Sequence, residues 1–502
     1  MVGTRTRTIP QLFDDAAAAE PGKTWLLHED AELTYEQARE RIGRAASALA
    51  ELGIGRGDLV LATARNSPPY LLTWLAAMYL GAIFVPANPA NSEAELRGLI
   101  DQVDPALVVT DEQLEDAVGP GRRVAGLASL FEDAPAREAG AGPARPEDPA
   151  ILIPTSGTTG RSKLVTQTHR AYVMAGEGFP YWMELTPEDR LMTSLPLFHV
   201  NAPAYSVLGS VAAHAGVVLL PRFSASTFVD SARRYGATEF NAIGAMLEIL
   251  MRQPERPDDA DNPLRLCYTG PSPTEERQLE IERRFGLRIV CGYALSESPY
   301  GLIWKHGTRP YGTLGSPRQH PTLGRVNDAR VAREDGDVGE LQLRNPAVML
   351  GYWGMPEETS RVLLDGGWLR TGDLVRDNGD GTYTFVGREK EVIRRRGENL
   401  SPAEVEEALM AQEDVVEAAV IGVPSELGED EVKAFVVLAD ADGADLGAIR
   451  AFAAERLTRF KVPRFVEAVD ELPHTPTGRV AKHQLPRERT AAETDFDPKG
   501  GA

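Results

Sequence analysis

The stretch PTSGTTGRSK, Pro154 to Lys163, sets two glycines, five hydroxyl side chains and two cations directly after the apolar run Ile151-Leu152-Ile153. Such a backbone bends sharply and presents N–H and O–H donors with positive charge beside them, which is the chemistry a polyphosphate needs. The common phosphate-loop template is not met, because Ser162 stands five residues after Gly157 where that template has its second glycine. Taken alone, the stretch has a flexible surface turn as its competing reading.

Three further stretches follow in order: GYALSES at Gly292 to Ser298, WLRTGDL at Trp368 to Leu374, and GREKEVIRRRGENLSPAEVEEAL at Gly387 to Leu409. Together with the opening loop they resemble the adenylate-forming superfamily of acyl-CoA ligases, peptide-synthetase adenylation domains and luciferases. The resemblance runs from TYEQ near Thr34 to TPTGR ending at Arg479. LPLFHVNAPAYSVLGSVAAHAG and GATEFNAIGAM are most similar to bacterial acid–CoA ligases of the crotonobetaine/carnitine-CoA ligase-like and fatty-acid-like groups. The implied reaction is attack of a carboxylate on the α-phosphorus of ATP, giving acyl-AMP and pyrophosphate, and then attack of the CoA thiol on the acyl carbon. Two anions must first be brought together, so donors, a cation and Mg²⁺ are expected to lower their repulsion.

By that resemblance, Thr155, Ser156, Gly157, Thr158, Thr159, Gly160 and Lys163 hold the β- and γ-phosphates, with Ser162 where the family usually has proline. Glu297, with Thr158, carries Mg²⁺, and Ser296 replaces the usual threonine. Tyr293 packs on adenine, flanked by Ala294, while Gly270 and Gly292 let backbone approach base and ribose. Asp373 accepts the ribose hydroxyls and Arg388 contacts the nucleotide. Lys390 is the hinge about which a small C-terminal domain rotates between the half-reactions, bringing in Arg396, Gly397, Glu398 and Asn399 for CoA. His199 stands at the wall between acyl pocket and thiol tunnel. Ala204, Asn241, Ile243, Gly244, Ala245, Gly270 and Leu295 line the pocket with His199. Their small size suggests room for a bulky or long apolar acid, and no buried cation is evident there to pair a second carboxylate.

One departure bears on catalysis: Arg479 stands where the family has the lysine that steadies carboxylate and α-phosphate. Guanidinium is planar and permanently charged, so it either bridges both anions or fits the closed site badly. Lys482 is the substitute cation, on condition that the segment turns helical, because residues three apart are neighbours only on a helix. A complete CoA ligase is the first reading. A partial-reaction enzyme, an adenylation enzyme loading a carrier protein, and a scaffold with a decayed nucleotide site are its rivals.

The elements that must position these residues follow from pattern. TYEQARERIGRAASALAELG spaces Ala and Leu helically and stops at Gly53, and LVLATARN reads as a buried strand. Their alternation recurs, predicting an α/β fold of βα units around mostly parallel sheets. Beyond Gly312, short strands and Gly/Asp turns predict a β-rich subdomain, followed by a small, mobile α+β domain. The expected boundaries are 1–387, 388–486 and a polar tail at 487–502. Acidic residues outnumber basic ones 74 to 53 in 502, giving a net charge of −21, which argues against a nucleic-acid binder. Two cysteines, Cys267 and Cys291, support neither a disulfide framework nor a thiolate metal site and fit a reducing cytoplasm. The apolar runs Leu71 to Val85 and Ala204 to Leu220 are broken by Gly81, Gly209 and His214, so no membrane span is expected.

Overall fold

The computed structural model describes residues 7–131, 142–155, 162–270, 272–304, 307–333, 338–388, 391, 393–395, 398–424, 430–439, 445–474, 480–490 and 492–496. One compact unit comprises Met1–Arg330, Gln342–Thr371 and Gly379–Tyr383; the second comprises Val331–Leu341, Gly372–Asn378 and Thr384–Ala502.

In the first unit the helix expected after Thr34 spans Tyr35–Glu51. The Thr34 hydroxyl accepts from the Gln37 backbone N–H while the Gln37 side chain accepts from the Thr34 N–H, so two otherwise orphaned donors are satisfied reciprocally. Ala38, Ile42, Ala45, Ala46 and Leu49 form its buried face. It packs against the Pro68–Leu80 helix, which is buried nearly all round and stops at Gly81 in the left-handed conformation.

Two sheets lie within this unit. The seven-stranded sheet runs in spatial order Gly351–Tyr352, Lys163–Thr168, Pro149–Thr155, Ile83–Ala87, Leu59–Thr63, Leu107–Thr110 and Val124–Gly126. Its last five strands are parallel; Lys163–Thr168 runs antiparallel to them, and Gly351–Tyr352 pairs antiparallel with it in turn. The nine-stranded sheet is ordered Ser316–Pro317, Ser298–Ile303, Arg288–Leu295, Leu266–Thr269, Glu239–Asn241, Arg190–Thr193, Gly216–Leu219, Thr24–His28 and Ala31–Thr34. Its centre is parallel, and its hairpins lie at the ends. One continuous apolar core, including Trp25, Tyr35, Phe84 and Phe179, joins the elements of both sheets. The β-rich stretch beyond Gly312 is a five-stranded sheet built from Asp328–Ala332, Val338–Arg344, Leu363–Leu364, Trp368–Asp377 and Tyr383–Arg388. No helix among the described residues is long and apolar enough to cross a membrane.

The second unit centres on a four-stranded sheet, Val415–Pro424, Asp430–Leu438, Phe465–Ala468 and Thr494–Asp495, with helices Pro402–Met410 and Leu446–Ala454. Residues of the polar tail complete this body. Lys433, fully buried, pairs with Glu467 at 2.9 Å and Glu493 at 2.8 Å, and Arg464 pairs with Asp495 at 3.1 Å. A buried ammonium is tolerated only with its carboxylates in place. Ending the chain after Pro486 is therefore expected to cost the second unit about 3–5 kcal/mol. Urea unfolding followed by fluorescence checks this, and an unchanged midpoint contradicts it.

Candidate active site

The Ser/Thr-rich loop joins two antiparallel strands rather than a strand and a helix: Thr155 lies opposite Lys163, and its hydroxyl donates to the Lys163 carbonyl at 3.1 Å. Ser156, Gly157, Thr158, Thr159 and Gly160 lie outside the described residues. The loop is tied at its far end where Gln102 Nε2 donates to the Ser162 carbonyl at 2.8 Å.

Gly351 and Tyr352 pair with Thr166 and Val165 at the edge of the same sheet. Gly351 has φ of 144°, and a Cβ there would stand 2.7 Å from Thr359 Cγ2, so only glycine is accommodated. Ser296 and Glu297 form the two-residue turn between Arg288–Leu295 and Ser298–Ile303. Three bonds fasten this turn to the seven-stranded sheet. Gln167 Nε2 donates to the Ser296 carbonyl at 2.7 Å, Met349 N–H to the Glu297 carbonyl at 2.8 Å, and the Tyr352 hydroxyl to Glu297 Oε1 at 2.9 Å. The Tyr352 ring also carries Lys163 Nζ 4.7 Å from its centroid. Burial, reinforced by the Glu297 charge, holds the Tyr352 phenol well above its ordinary range, so it remains a donor. A cation on the ring face and a carboxylate on the hydroxyl, from distant parts of the chain, thus meet one phenol.

Tyr293, Ala294, Leu295 and Ser296 are half-buried on the strand leading to this turn. A Cβ on Gly270 would stand 2.4 Å from the Gly292 carbonyl, and one on Gly292 2.8 Å from Tyr268 Oη and 2.9 Å from Arg318 Nη2. These two absent side chains admit protein neighbours, which corrects the expectation of a roomy apolar pocket at this point: deleted volume opens space only where no neighbour fills it. Arg318, 1% exposed, also corrects the expectation that no buried cation lies near these residues. Ala204 is buried in the π-helical turn Ala202–Val207, and Asn241 Nδ2 donates to Asn201 Oδ1 at 2.6 Å. Ile243 precedes the helix that begins at Gly244, and the Ala245 side chain lies outside the description. His199, half-buried, lines a small, mainly apolar hollow with Leu197, Tyr70, Trp74 and Tyr172.

In the second unit Asp373, 3% exposed, is met by Arg388 Nε at 3.1 Å, so the residue expected at the ribose and the arginine expected on the nucleotide are neighbours. Lys390, Arg396, Gly397 and Arg479 lie outside the described residues, as do the side chains of Glu398 and Asn399. Within the RRR run, Arg395 turns inward to Glu431 at 2.7 Å and the Val462 carbonyl at 3.0 Å. Lys482 opens a short 3₁₀ turn through Gln484 and pairs with Glu406 Oε1 at 2.8 Å, where the Val420 N–H also donates at 2.6 Å. Burial raises the Glu406 carboxyl, and Lys482 opposes that rise. Lys482 is accordingly committed to an ion pair inside its own unit. His474 bridges to Val480, and the Ala481 N–H donates to the Pro473 carbonyl at 2.6 Å.

The family model for AMP-binding enzymes matches residues 13–353, and that for the AMP-binding enzyme C-terminal domain matches residues 404–479. The chain belongs to the AMP-binding enzyme family. This AMP-binding enzyme is 33% identical to the sulfoacetate–CoA ligase of Cupriavidus necator over 95% of its own length and 99% of that protein. It is 30% identical to the crotonobetaine/carnitine–CoA ligase of Salmonella enteritidis over the same shares. The crystal structure of ATP-bound MatB from Rhodopseudomonas palustris superposes with a TM-score of 0.86 at 26% identity, covering 94% of this chain and 97% of that one.

Sequence reasoning missed Tyr352 in this AMP-binding enzyme, although the Gly-Tyr pair after an apolar run was a signal for a constrained aromatic strand. Replacing Tyr352 with Phe keeps the ring beneath Lys163 and removes the donor to Glu297. Affinity for ATP in the presence of magnesium is expected to fall about 10-fold, the scale of a hydrogen bond to a charged group. Titration calorimetry checks this, and unchanged affinity contradicts the bridge.

Proposed function

We propose that this enzyme is an ATP-dependent acid–CoA ligase of the AMP-forming kind, working in the reducing cytoplasm. The observation that carries the reading is the Lys163–Tyr352–Glu297 bridge, which sets a cation and a carboxylate beside the base of a hydroxyl-rich turn. The CoA-ligase relatives, matched along nearly the whole chain, support it.

In the first half-reaction a carboxylate oxygen of the acid attacks the α-phosphorus and the bond to pyrophosphate breaks. In the second, the CoA sulfur attacks the acyl carbon, the thiol proton is lost and AMP departs. Lys163 and the loop Thr155 to Gly160 offset charge on the departing phosphates. Mg²⁺ fits beside Glu297, because an ion that keeps most of its waters needs only one or two carboxylates together with phosphate oxygens; bound there, it would supply further charge neutralisation. Tyr293 takes the adenine, Asp373 accepts the ribose hydroxyls, and Arg388 orients Asp373. Arg479 bridges the carboxylate and the α-phosphate, a task suited to its forked donors. For the second step Lys390 is the hinge. Arg396 to Asn399 then line the CoA path, with His199 at the wall beside the acyl group.

The test separates the half-reactions. Arg479→Ala is expected to lower pyrophosphate release from ATP and acid by about 100-fold or more, the scale of removing a charge stabiliser from a transition state, while supplied acyl-AMP is still converted with CoA. Pyrophosphate release that survives Arg479→Ala contradicts its role. Absence of release by the native chain, beside turnover of supplied acyl-AMP, overturns the complete ligase.

A further inference from the structure

We infer that the acid activated here is short and carries a second anionic group, a carboxylate or a sulfonate, which pairs with Arg318; this rests on the ligase reading above. Arg318 is 1% exposed. Its Nε donates to the Leu302 carbonyl at 2.9 Å and its Nη2 to the Tyr268 hydroxyl, while Nη1 has no partner. Around the guanidinium stand the rings of Trp182 at 4.3 Å, Tyr205 at 5.5 Å and Tyr268 at 5.6 Å. Burial works against its charge, and the phenols of Tyr268, Tyr205 and Tyr300 favour it. Glu177, on the same helix as Trp182, is already engaged by Arg7 and His320.

A guanidinium cannot shed its charge at any ordinary pH. Buried without a counter-ion it is costly, and ring faces offset only part of that cost. The missing anion is explained if it arrives with the substrate. Location supports this. Arg318 Nη2 stands where a Gly292 side chain would be, Tyr268 pairs across to Asn241 and precedes Gly270, and Tyr205 follows Ala204. Gly270, Asn241 and Ala204 belong to the proposed acyl pocket, so the guanidinium stands against the direct neighbours of pocket residues. Tyr300, whose ring also meets Trp182 at 4.9 Å, holds a buried hydroxyl without a partner. With Tyr268 and Arg318 filling the space beside Gly292, a long apolar tail has no path there.

The test is kcat/KM for CoA thioester formation by the full chain, comparing malonate, succinate and sulfoacetate with propionate, butyrate, monomethyl succinate and octanoate. The native enzyme is expected to favour at least one doubly anionic acid over its neutral-tailed counterpart by about 100-fold or more, since a site built for a polar partner rejects analogues lacking it. Arg318→Met is expected to abolish that preference, and Arg318→Lys to restore part of it. Turnover of octanoate or butyrate ahead of every doubly anionic acid overturns the assignment while leaving the ligase reading intact. So does a preference that survives Arg318→Met. The native comparison needs no variant, so it decides the matter even if Arg318→Met fails to fold. No thioester from any of the seven acids, together with no conversion of supplied acyl-AMP, overturns the ligase reading and this inference with it.

Discussion

The phenol of Tyr352 holds Glu297 by its hydroxyl and Lys163 by its ring face, and the nucleotide site proposed above is built on that double contact. Adenylation asks a protein to bring carboxylate and triphosphate together, so it must supply positive charge and a metal-binding carboxylate without letting the two neutralise each other. A direct Lys–Glu pair would satisfy both groups and leave neither for the substrate. Interposing a buried, protonated phenol keeps the cation and the anion close while each retains capacity. The antiparallel return of Lys163–Thr168 makes this possible, because it places Lys163 at the loop's base and offers an edge on which Gly351 and Tyr352 can pair.

The same logic of commitment distinguishes the other cations. Lys433 and Arg395 are closed off by buried carboxylates, and Lys482 is held by Glu406. These hold the second unit together. Arg318 differs in having aromatic rings, a hydroxyl and a carbonyl as its hydrogen-bonding and ring partners and no ion pair among the described residues, and it lies behind Gly292. Charge left uncompensated inside a folded core is the signature of a partner that comes from outside it.

Local features were legible in the sequence and long-range ones were not. The capping box at Thr34, the stop at Gly81 and the βα alternation are each written within a short run of neighbouring residues, and the structure places them as helices and parallel strands. Sequence also named Asp373 and Arg388, which meet. It could not name Tyr352, whose importance comes from pairing with a strand far earlier in the chain. Nor could it see that Lys482 faces Glu406, or that Tyr268 and Arg318 occupy the space glycine leaves at position 292. Each of these depends on which strands become neighbours, and no local pattern encodes that.

The central claim is that Lys163, Tyr352 and Glu297 frame the triphosphate of one nucleotide. A crystal structure of the enzyme with magnesium and a non-hydrolysable ATP analogue tests it directly. The account predicts adenine against Tyr293, the terminal phosphates at Lys163 and the metal at Glu297, with the Tyr352 hydroxyl still bonded to that carboxylate. A nucleotide bound elsewhere, or a metal that leaves Glu297 untouched, would contradict it.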